Sequence, residues 1–350
     1  MQYSLQTALI EITNRCNMRC PFCFSGSGLA RTNELSLDEW IRVLQDLRRL
    51  GCKRVGVVGG EFMLREDWAE ICFQIVSQKM SLSLMTNGLA LTSDMVGRLG
   101  ELGVSGVGVS VDGANAESYC RMRGTDGYKK AMEAIEMLKG NRKIPFVTAV
   151  TTFSAKNIDD FDAFVDLFVD SGVTWQIQLM QRGAGRFSDD YLLSREQFAW
   201  LLGKVKDTVH RYDRSRLPIV FGGNLGHFPM MADLMSLSSS CGQACQGAIR
   251  YLGIRSNGDV LPCLSLGVDF VEGNVRTCSV YDLWNSETSF RLFREKSTVL
   301  RGACASCDKG SECRAGCVAI ALTYSKSMDC NPLCIRQIER ERILREIIED

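Results

Sequence analysis

Histidine is scarce in this chain. His210 and His227 are the only two among 350 residues. Histidine-rich metal sites and imidazole acid/base networks therefore have little to draw on, and either residue reads as a surface or satisfied core group. Net charge is also lacking: 41 Lys and Arg balance 41 Asp and Glu. Nothing suggests a surface that tracks phosphates, so nucleic acid is not an expected partner. The chain shows no export signal and no apolar run long enough to span a bilayer. No membrane partner is expected, and the expected location is cytoplasmic. Cysteine, by contrast, is abundant, with sixteen residues. Secreted disulfide scaffolds are usually small, so in a chain of this length without an export signal the cysteines point to metal. An apolar content of 45% against 23% charged residues describes a globular protein with a sizeable core, long enough for one large domain and a smaller one.

The most informative cysteines are Cys16, Cys20 and Cys23, a C-x3-C-x2-C run. They follow a short apolar run, Ala8 to Ile12, that reads as a first strand. Thiolates are soft ligands that hold iron–sulfur clusters, and a cubane has four irons. Three cysteines leave one iron without a protein ligand, open to bind something else, as at a catalytic metal. A zinc knot and three core cysteines are the competing readings. Zinc usually takes four ligands in a closed structural site, and no fourth Cys or His lies nearby, so the spacing favours a cluster.

The first 215 residues alternate between strand-like and helix-like segments. Strands are expected at Ala8–Ile12, Arg54–Val58, Leu82–Thr86, Gly106–Val111, Phe146–Thr152 and Thr174–Leu179. Helices are expected at Leu37–Leu50, with Ser36 as N-cap and Gly51 as a stop, and at Asp67–Lys79, Ser93–Leu102, Gly127–Leu138, Asp159–Ser171 and Arg195–Arg211. Six such units imply an α/β fold with a parallel sheet, a partial (β/α)6 TIM barrel rather than the eight-unit closed one. Chemistry in such barrels sits at the C-terminal ends of the strands. The cysteine loop, Gly59-Gly60-Glu61, Thr86-Asn87-Gly88 and Ser110-Val111-Asp112-Gly113 all fall there. Residues 216–240 read as a bridging segment. Residues 241–350 form a second, loop-rich domain with ten of the sixteen cysteines and a charged terminal helix, Ile335–Ile348.

Together these residues resemble the radical S-adenosylmethionine (SAM) superfamily, in its branch with a C-terminal SPASM domain. The resemblance covers nearly the whole chain. C-x3-C-x2-C is the superfamily's cluster motif, and Phe22, an aromatic before the third cysteine, is common in it. Gly59-Gly60-Glu61 is similar to the family's motif that contacts the SAM amine, although Phe62 stands where Pro is usual. Glycines let backbone approach a ligand, and a carboxylate can pair with an ammonium. Asn87, Ser110 and Asp112 match positions that line the SAM pocket in relatives. Further on, Cys245 and Gly258 are separated by twelve residues, and Gly258 and Cys263 by four. Cys304, Cys307, Cys313 and Cys317 then follow the SPASM spacing C-x2-C-x5-C-x3-C.

The resemblance implies SAM and three [4Fe–4S] clusters. Cys16, Cys20 and Cys23 would hold the SAM-binding cluster. Cys245, Cys263 and Cys317, with Cys241 as fourth ligand, would hold a first auxiliary cluster. Cys304, Cys307 and Cys313 would hold a second, completed by Cys330 or Cys334. Asn331-Pro332-Leu333-Cys334 resembles the family's ending, which favours Cys334. Cys52, Cys72, Cys120 and Cys278 are expected to be plain buried thiols.

The implied activity is reductive cleavage of SAM to a 5′-deoxyadenosyl radical that abstracts hydrogen from a ribosomal peptide, giving a crosslink, an epimerisation or a backbone excision. A flavodoxin- or ferredoxin-type reductant is the implied electron donor. Leu264 occupies the position where sulfatase-maturing relatives carry an acid, which argues against that reaction. Strand one begins near residue 8, leaving no room for a leader-binding domain, so either a separate small protein presents the peptide or no leader is needed. The alternative is a radical SAM dehydrogenase or epimerase of a small molecule such as an aminocyclitol or sugar. A third reading, metal storage, predicts no SAM binding. No catalytic acid or base can be named; Arg182, Arg186 and Tyr191, which follow strand six, are candidates to face substrate, with a solvated polar loop as the favoured reading.

Overall fold

The structure, a computed structural model, describes residues 3–223, 244–295 and 300–349. Its contacts divide the chain into two compact units. The first comprises Met1–Thr151, Arg182–Phe187 and Gln246–Arg294; the second comprises Thr152–Gln181, Ser188–Cys245 and Glu295–Asp350.

In the first unit, β1 (Thr7–Glu11), β2 (Arg54–Val58), β3 (Ser81–Thr86), β4 (Gly106–Ser110) and the first part of β5 (Val147–Phe153) pair in chain order, all parallel. Their side chains are apolar and buried: Ala8, Ile10, Val55, Val57, Leu82, Leu84, Val107 and Val109 are all at most 3% exposed. They stand at alternate positions of their strands and so make up one buried face of the sheet. The crossovers are α1 (Leu37–Arg49), α2 (Trp68–Ser77), α3 (Ser93–Leu102), α4 (Ala116–Arg123) and α5 (Tyr128–Gly140). Ser36 caps α1 in a capping box with Glu39, as its sequence suggests. Helix α4 has no counterpart in the sequence reading. Its signal is a cap rather than a period: Asn115 accepts from Ser118 N, and Gly124, at φ +68°, ends it.

The other side of β1 is also occupied. In a part of the chain read as loop-rich, β8 (Tyr251–Ile254) pairs parallel to β1, with Thr7 opposite Tyr251 and Ile10 opposite Ile254. Antiparallel β9 (Asp259–Leu261) and β10 (Gly273–Asn274) follow it. The turn between β8 and β9 contains Gly258 at φ +91°, a conformation that L side chains rarely adopt.

The second unit is built around an aromatic core in which Phe153, Phe161, Phe164 and Phe168 all meet Trp175, with centroids 5.4–6.2 Å apart. The segment read as one helix over Asp159–Ser171 is a 3-10 turn, Ile158–Asp160, followed by α6 (Phe161–Phe168). β6 (Thr174–Leu179) and α7 (Arg195–Arg211) lie where the sequence places them. β7 (Ile219–Phe221) pairs parallel to β6 within the segment read as a bridge; three residues are too few for a pattern to reveal. Residues 224–240 of that bridge, and residues 241–243 after it, lie outside the described residues. The C-terminal part runs through α8 (Val280–Asn285) and α9 (Arg291–Arg294) in the first unit. In the second it continues through α10 (Gly302–Ala305), α11 (Gly310–Cys313), α12 (Val318–Ser325) and α13 (Ile335–Glu349). Among the described residues no helix is long and apolar enough to cross a membrane.

Candidate functional site

The loop after β1 carries Cys16, Cys20 and Cys23 and is closed at its base by backbone bonds. Cys16 N donates to Gly28 O at 2.9 Å, and Gly28 N donates to Asn14 O at 3.0 Å. Glu34 accepts from Thr13 Oγ1 at 2.9 Å and Asn14 N at 2.6 Å, fixing the exit from the strand. A second segment, residues 183–186, lies against the loop. Ala184 N donates to Phe24 O and Arg186 N to Cys23 O. A Cβ on Gly185 would collide with Cys23 O. The Arg186 guanidinium donates to three loop carbonyls, Cys20 O at 2.9 Å, Gly26 O at 3.1 Å and Ser27 O at 2.8 Å. Arg186 is therefore no solvated residue but a clamp on the cysteine loop. Tyr191 is also buried, and Arg182 stacks on Phe187 at 4.4 Å.

The motif after β2 touches the same loop. Gly60 N donates to Thr13 O and Glu61 N to Arg15 O, both at 2.8 Å. A Cβ on Gly59 would stand 2.7 Å from Thr13 O, and one on Gly60 would collide with Arg15 O. The glycines are thus required by the close approach of two backbones. Glu61 is fully buried, and its carboxylate accepts from Thr86 Oγ1 at 2.9 Å and Asn87 N at 2.8 Å. Burial outweighs these bonds and pushes its pKa up to about 7. The Asn87 side chain donates to Asn17 Oδ1 at 2.7 Å and lies 3.8 Å from Cys16 Sγ. Ser110 is half-buried at the end of β4. Asp112 is fully buried and paired with Arg123, whose Nη2 is 2.6 Å and whose Nε is 2.7 Å from Oδ2. Arg123 also points Nη1 at Cys20 Sγ, 3.9 Å away, and lies 6.0 Å from the Phe22 ring. Sequence reasoning missed Arg123 because it sits on the helix that went unread.

The three thiols differ in environment. Burial pushes Cys16 up to about 11 and raises Cys20 despite the Arg123 charge. At Cys23 burial is outweighed by hydrogen bonds from Ser25 and Ser27, which hold its pKa below the ordinary value. Iron binding needs all three as thiolates. Three soft donors on one clamped loop, with a glycine-lined rim beside them, fit an iron–sulfur cluster with one iron left for another ligand.

The C-terminal cysteines fall in both units. Cys263 stands in the first unit, just after β9. The β8–β9 turn is tied to β1 through Ser256 Oγ, which donates to Glu11 Oε1 at 3.0 Å, and Arg31 Nη2 reaches the same oxygen at 3.2 Å. Burial raises the Glu11 pKa. Arg255 Nη2 donates to Leu266 O at 2.8 Å, and Leu266 N to Cys263 O at 3.2 Å. Cys245 and Cys317 belong to the second unit, and Cys241 lies outside the described residues. Also in the second unit, Cys304, Cys307, Cys313 and Cys334 line one cavity, with Lys309 and Arg336 among its other walls. Cys330 lies beside Cys304, whose thiol burial, Cys330 and Cys334 together push up to about 12. Of the cysteines expected to be plain buried thiols, Cys52 and Cys72 are buried, whereas Cys120 is exposed and Cys278 half-buried. Cys120 lies on the outer face of α4, the unread helix.

Comparison with known proteins agrees with this chemistry. Residues 10–168 match the family model described as the radical SAM superfamily, and residues 245–308 match SPASM, an iron–sulfur cluster-binding domain. Mycofactocin maturase MftC of Mycolicibacterium smegmatis is 28% identical over 95% of this chain and 84% of its own length. PqqA peptide cyclase of Granulibacter bethesdensis is 28% identical over 93% and 86%. AdoMet-dependent heme synthase of Methanosarcina barkeri is 28% identical over 93% and 95%. Among solved structures, Streptococcus suis SuiB bound to S-adenosylmethionine superposes with a TM-score of 0.76 at 17% identity, over 95% of this chain and 77% of that one, which shows the shared fold. The chain is a member of the radical SAM superfamily with a C-terminal SPASM domain, and the cofactors of these domains are SAM and [4Fe–4S] clusters.

Proposed function

We propose that this protein modifies a ribosomal peptide by radical SAM chemistry, installing a crosslink, an epimerisation or a backbone excision. The observation that carries the reading is the convergence of the cysteine loop with the Gly59-Gly60-Glu61 and Thr86-Asn87 rims, in a chain aligned almost end to end with a maturase and a peptide cyclase. Cys16, Cys20 and Cys23 hold the SAM-binding cluster. When bound, SAM and that cluster supply reductive cleavage and hydrogen abstraction from an unactivated carbon.

The chain's own residues prepare the place. Gly59 and Gly60 bring backbone against the loop, Glu61 fixes the end of β3, and Asn87 holds Asn17 beside Cys16. Asp112 orients Arg123, and Phe22 and Cys20 are buried away from water. The second auxiliary site is formed by Cys304, Cys307, Cys313 and Cys334. The cavity shared by this second set supports Cys334 over Cys330. Residues 1–215 form the radical SAM domain and residues 241–350 the SPASM domain. A flavodoxin- or ferredoxin-type protein supplies the electron, in the reducing cytoplasm that such clusters need.

A small-molecule substrate is the second reading, favoured by the likeness to the heme synthase along nearly its whole length. The test is anaerobic: reconstitute the full chain, reduce it with dithionite, add SAM and measure 5′-deoxyadenosine with and without short peptides encoded beside the gene. Deoxyadenosine together with one modified peptide, seen as a mass change or, for an epimerisation, as deuterium taken up from D2O, is the expected result. Cleavage that no peptide stimulates, but a small molecule does, moves the function to the second reading. A fully iron-loaded protein that leaves SAM intact overturns both.

A further inference from the structure

We propose that Arg123 is a positioning residue that sets the reduction potential of the cluster held by Cys16, Cys20 and Cys23, with Asp112 as its opposing partner. The inference rests on the proposed function, in which those three cysteines bind that cluster. Arg123 is 9% exposed, and its guanidinium is shared between two groups. Nε and Nη2 engage Asp112 Oδ2 at 2.7 and 2.6 Å, while Nη1 faces Cys20 Sγ at 3.9 Å and Met18 Sδ at 4.0 Å. The Phe22 and Tyr119 rings flank it at 6.0 and 5.8 Å.

Cluster reduction adds one negative charge. A buried cation that donates toward a ligand sulfur stabilises the more negative state, and cluster potentials respond to net charge, to hydrogen bonds at sulfur and to exposure. Charges buried this close interact far more strongly than in water. Asp112 is completely buried and opposes that effect. Arg123 donates to Asp112 through Nε and Nη2 and toward Cys20 through Nη1, so its guanidinium bridges the carboxylate and the sulfur. Removing each charge alone should therefore move the potential in opposite directions. A purely structural role gives no such pair of signs.

The experiment uses the full chain, reconstituted anaerobically and titrated by electron paramagnetic resonance. The signal of interest is the one that changes when SAM is added and is lost when Cys16, Cys20 and Cys23 are all Ala. Arg123→Met is expected to shift its midpoint to more negative potential and Asp112→Asn to more positive, with Arg123→Lys close to the unaltered protein. Should Arg123→Met fail to load iron, the upward shift of Asp112→Asn and the retained potential of Arg123→Lys decide the matter. Equal potentials throughout, or shifts of the same sign from Arg123→Met and Asp112→Asn, overturn the proposal alone. An unaltered protein with no SAM-responsive signal overturns the site reading and the proposal together.

Discussion

Gly60 tolerates no side chain, and the reason lies in the neighbouring backbone. Its Cβ would collide with Arg15 O and stand 2.7 Å from Asn14 O. Neither atom is the flexible end of a side chain, so relief requires moving the cysteine loop. Gly60→Ala is expected to lose the SAM-binding cluster, roughly four of about twelve irons per chain, while the auxiliary signals persist. Iron analysis with resonance spectra checks this, and full iron with an intact SAM response would refute it. Gly97 in α3 is the control, because nothing lies within 4 Å of its added Cβ. Gly97→Ala should leave iron unchanged and raise stability by about 0.4–1 kcal/mol, read from denaturant midpoints. Both glycines are plain in the sequence, and the Gly-Gly-Glu motif marks the first as special. The carbonyls that forbid its side chain cannot be read there, because they belong to residues more than forty positions earlier. Arg123 was still less legible. A single arginine carries no periodic signal, and its role depends on Asp112 and Cys20, which lie on two other segments.

At the scale of elements, local signals placed most of what the sequence could place. Ser36 caps α1 where expected, α7 begins where expected under a Ser194–Gln197 capping box, and α3 and β6 match to the residue. Elements defined by partners rather than by their own pattern went unseen. β7, β9 and β10 are three, three and two residues long. The stretch 183–186 has no regular structure, yet its backbone pairs with the cysteine loop and its arginine holds three carbonyls. Hydrogen bonds from a charged donor contribute about 1.5–3 kcal/mol each. Arg186→Ala should therefore release the loop without unfolding the chain. The expected result is a weakened or lost SAM-binding cluster, an unchanged auxiliary content and a thermal midpoint lowered by a few degrees. Arg186→Lys cannot reach all three carbonyls from one ammonium and should restore only part of the cluster. Normal cluster loading in Arg186→Ala would show that the backbone bonds of residues 183–186 suffice alone.

Across the whole molecule, the linear order of motifs differs from the grouping of contacts. β8 and β9, from the cysteine-rich half of the chain, belong to the same compact unit as β1–β4, and Cys263 goes with them. Cys304, Cys307, Cys313, Cys330 and Cys334 all belong to the second unit. Five thiols are then present for a site that takes four. Cys334 shares a cavity with Cys304, Cys307 and Cys313, and burial raises its thiol, with Cys307 adding to the effect. Cys330 instead lies beside Cys304 and within 3.5 Å of the position a Cβ on Gly302 would take. Coordination by four cysteines is the usual way to hold a [4Fe–4S] cluster, so removing a true ligand should empty the site, whereas removing a neighbouring thiol should not. Cys334→Ser is expected to lose roughly four of about twelve irons and one resonance signal, with SAM cleavage tested separately. Cys330→Ser should keep all of the iron. The triple Ala variant at Cys16, Cys20 and Cys23 should lose a similar number but a different signal, together with all deoxyadenosine formation. Iron lost from Cys330→Ser and retained in Cys334→Ser would reverse the assignment and make Cys330 the ligand. Loss from both would mean that the two thiols support the site jointly, one as ligand and one through Cys304.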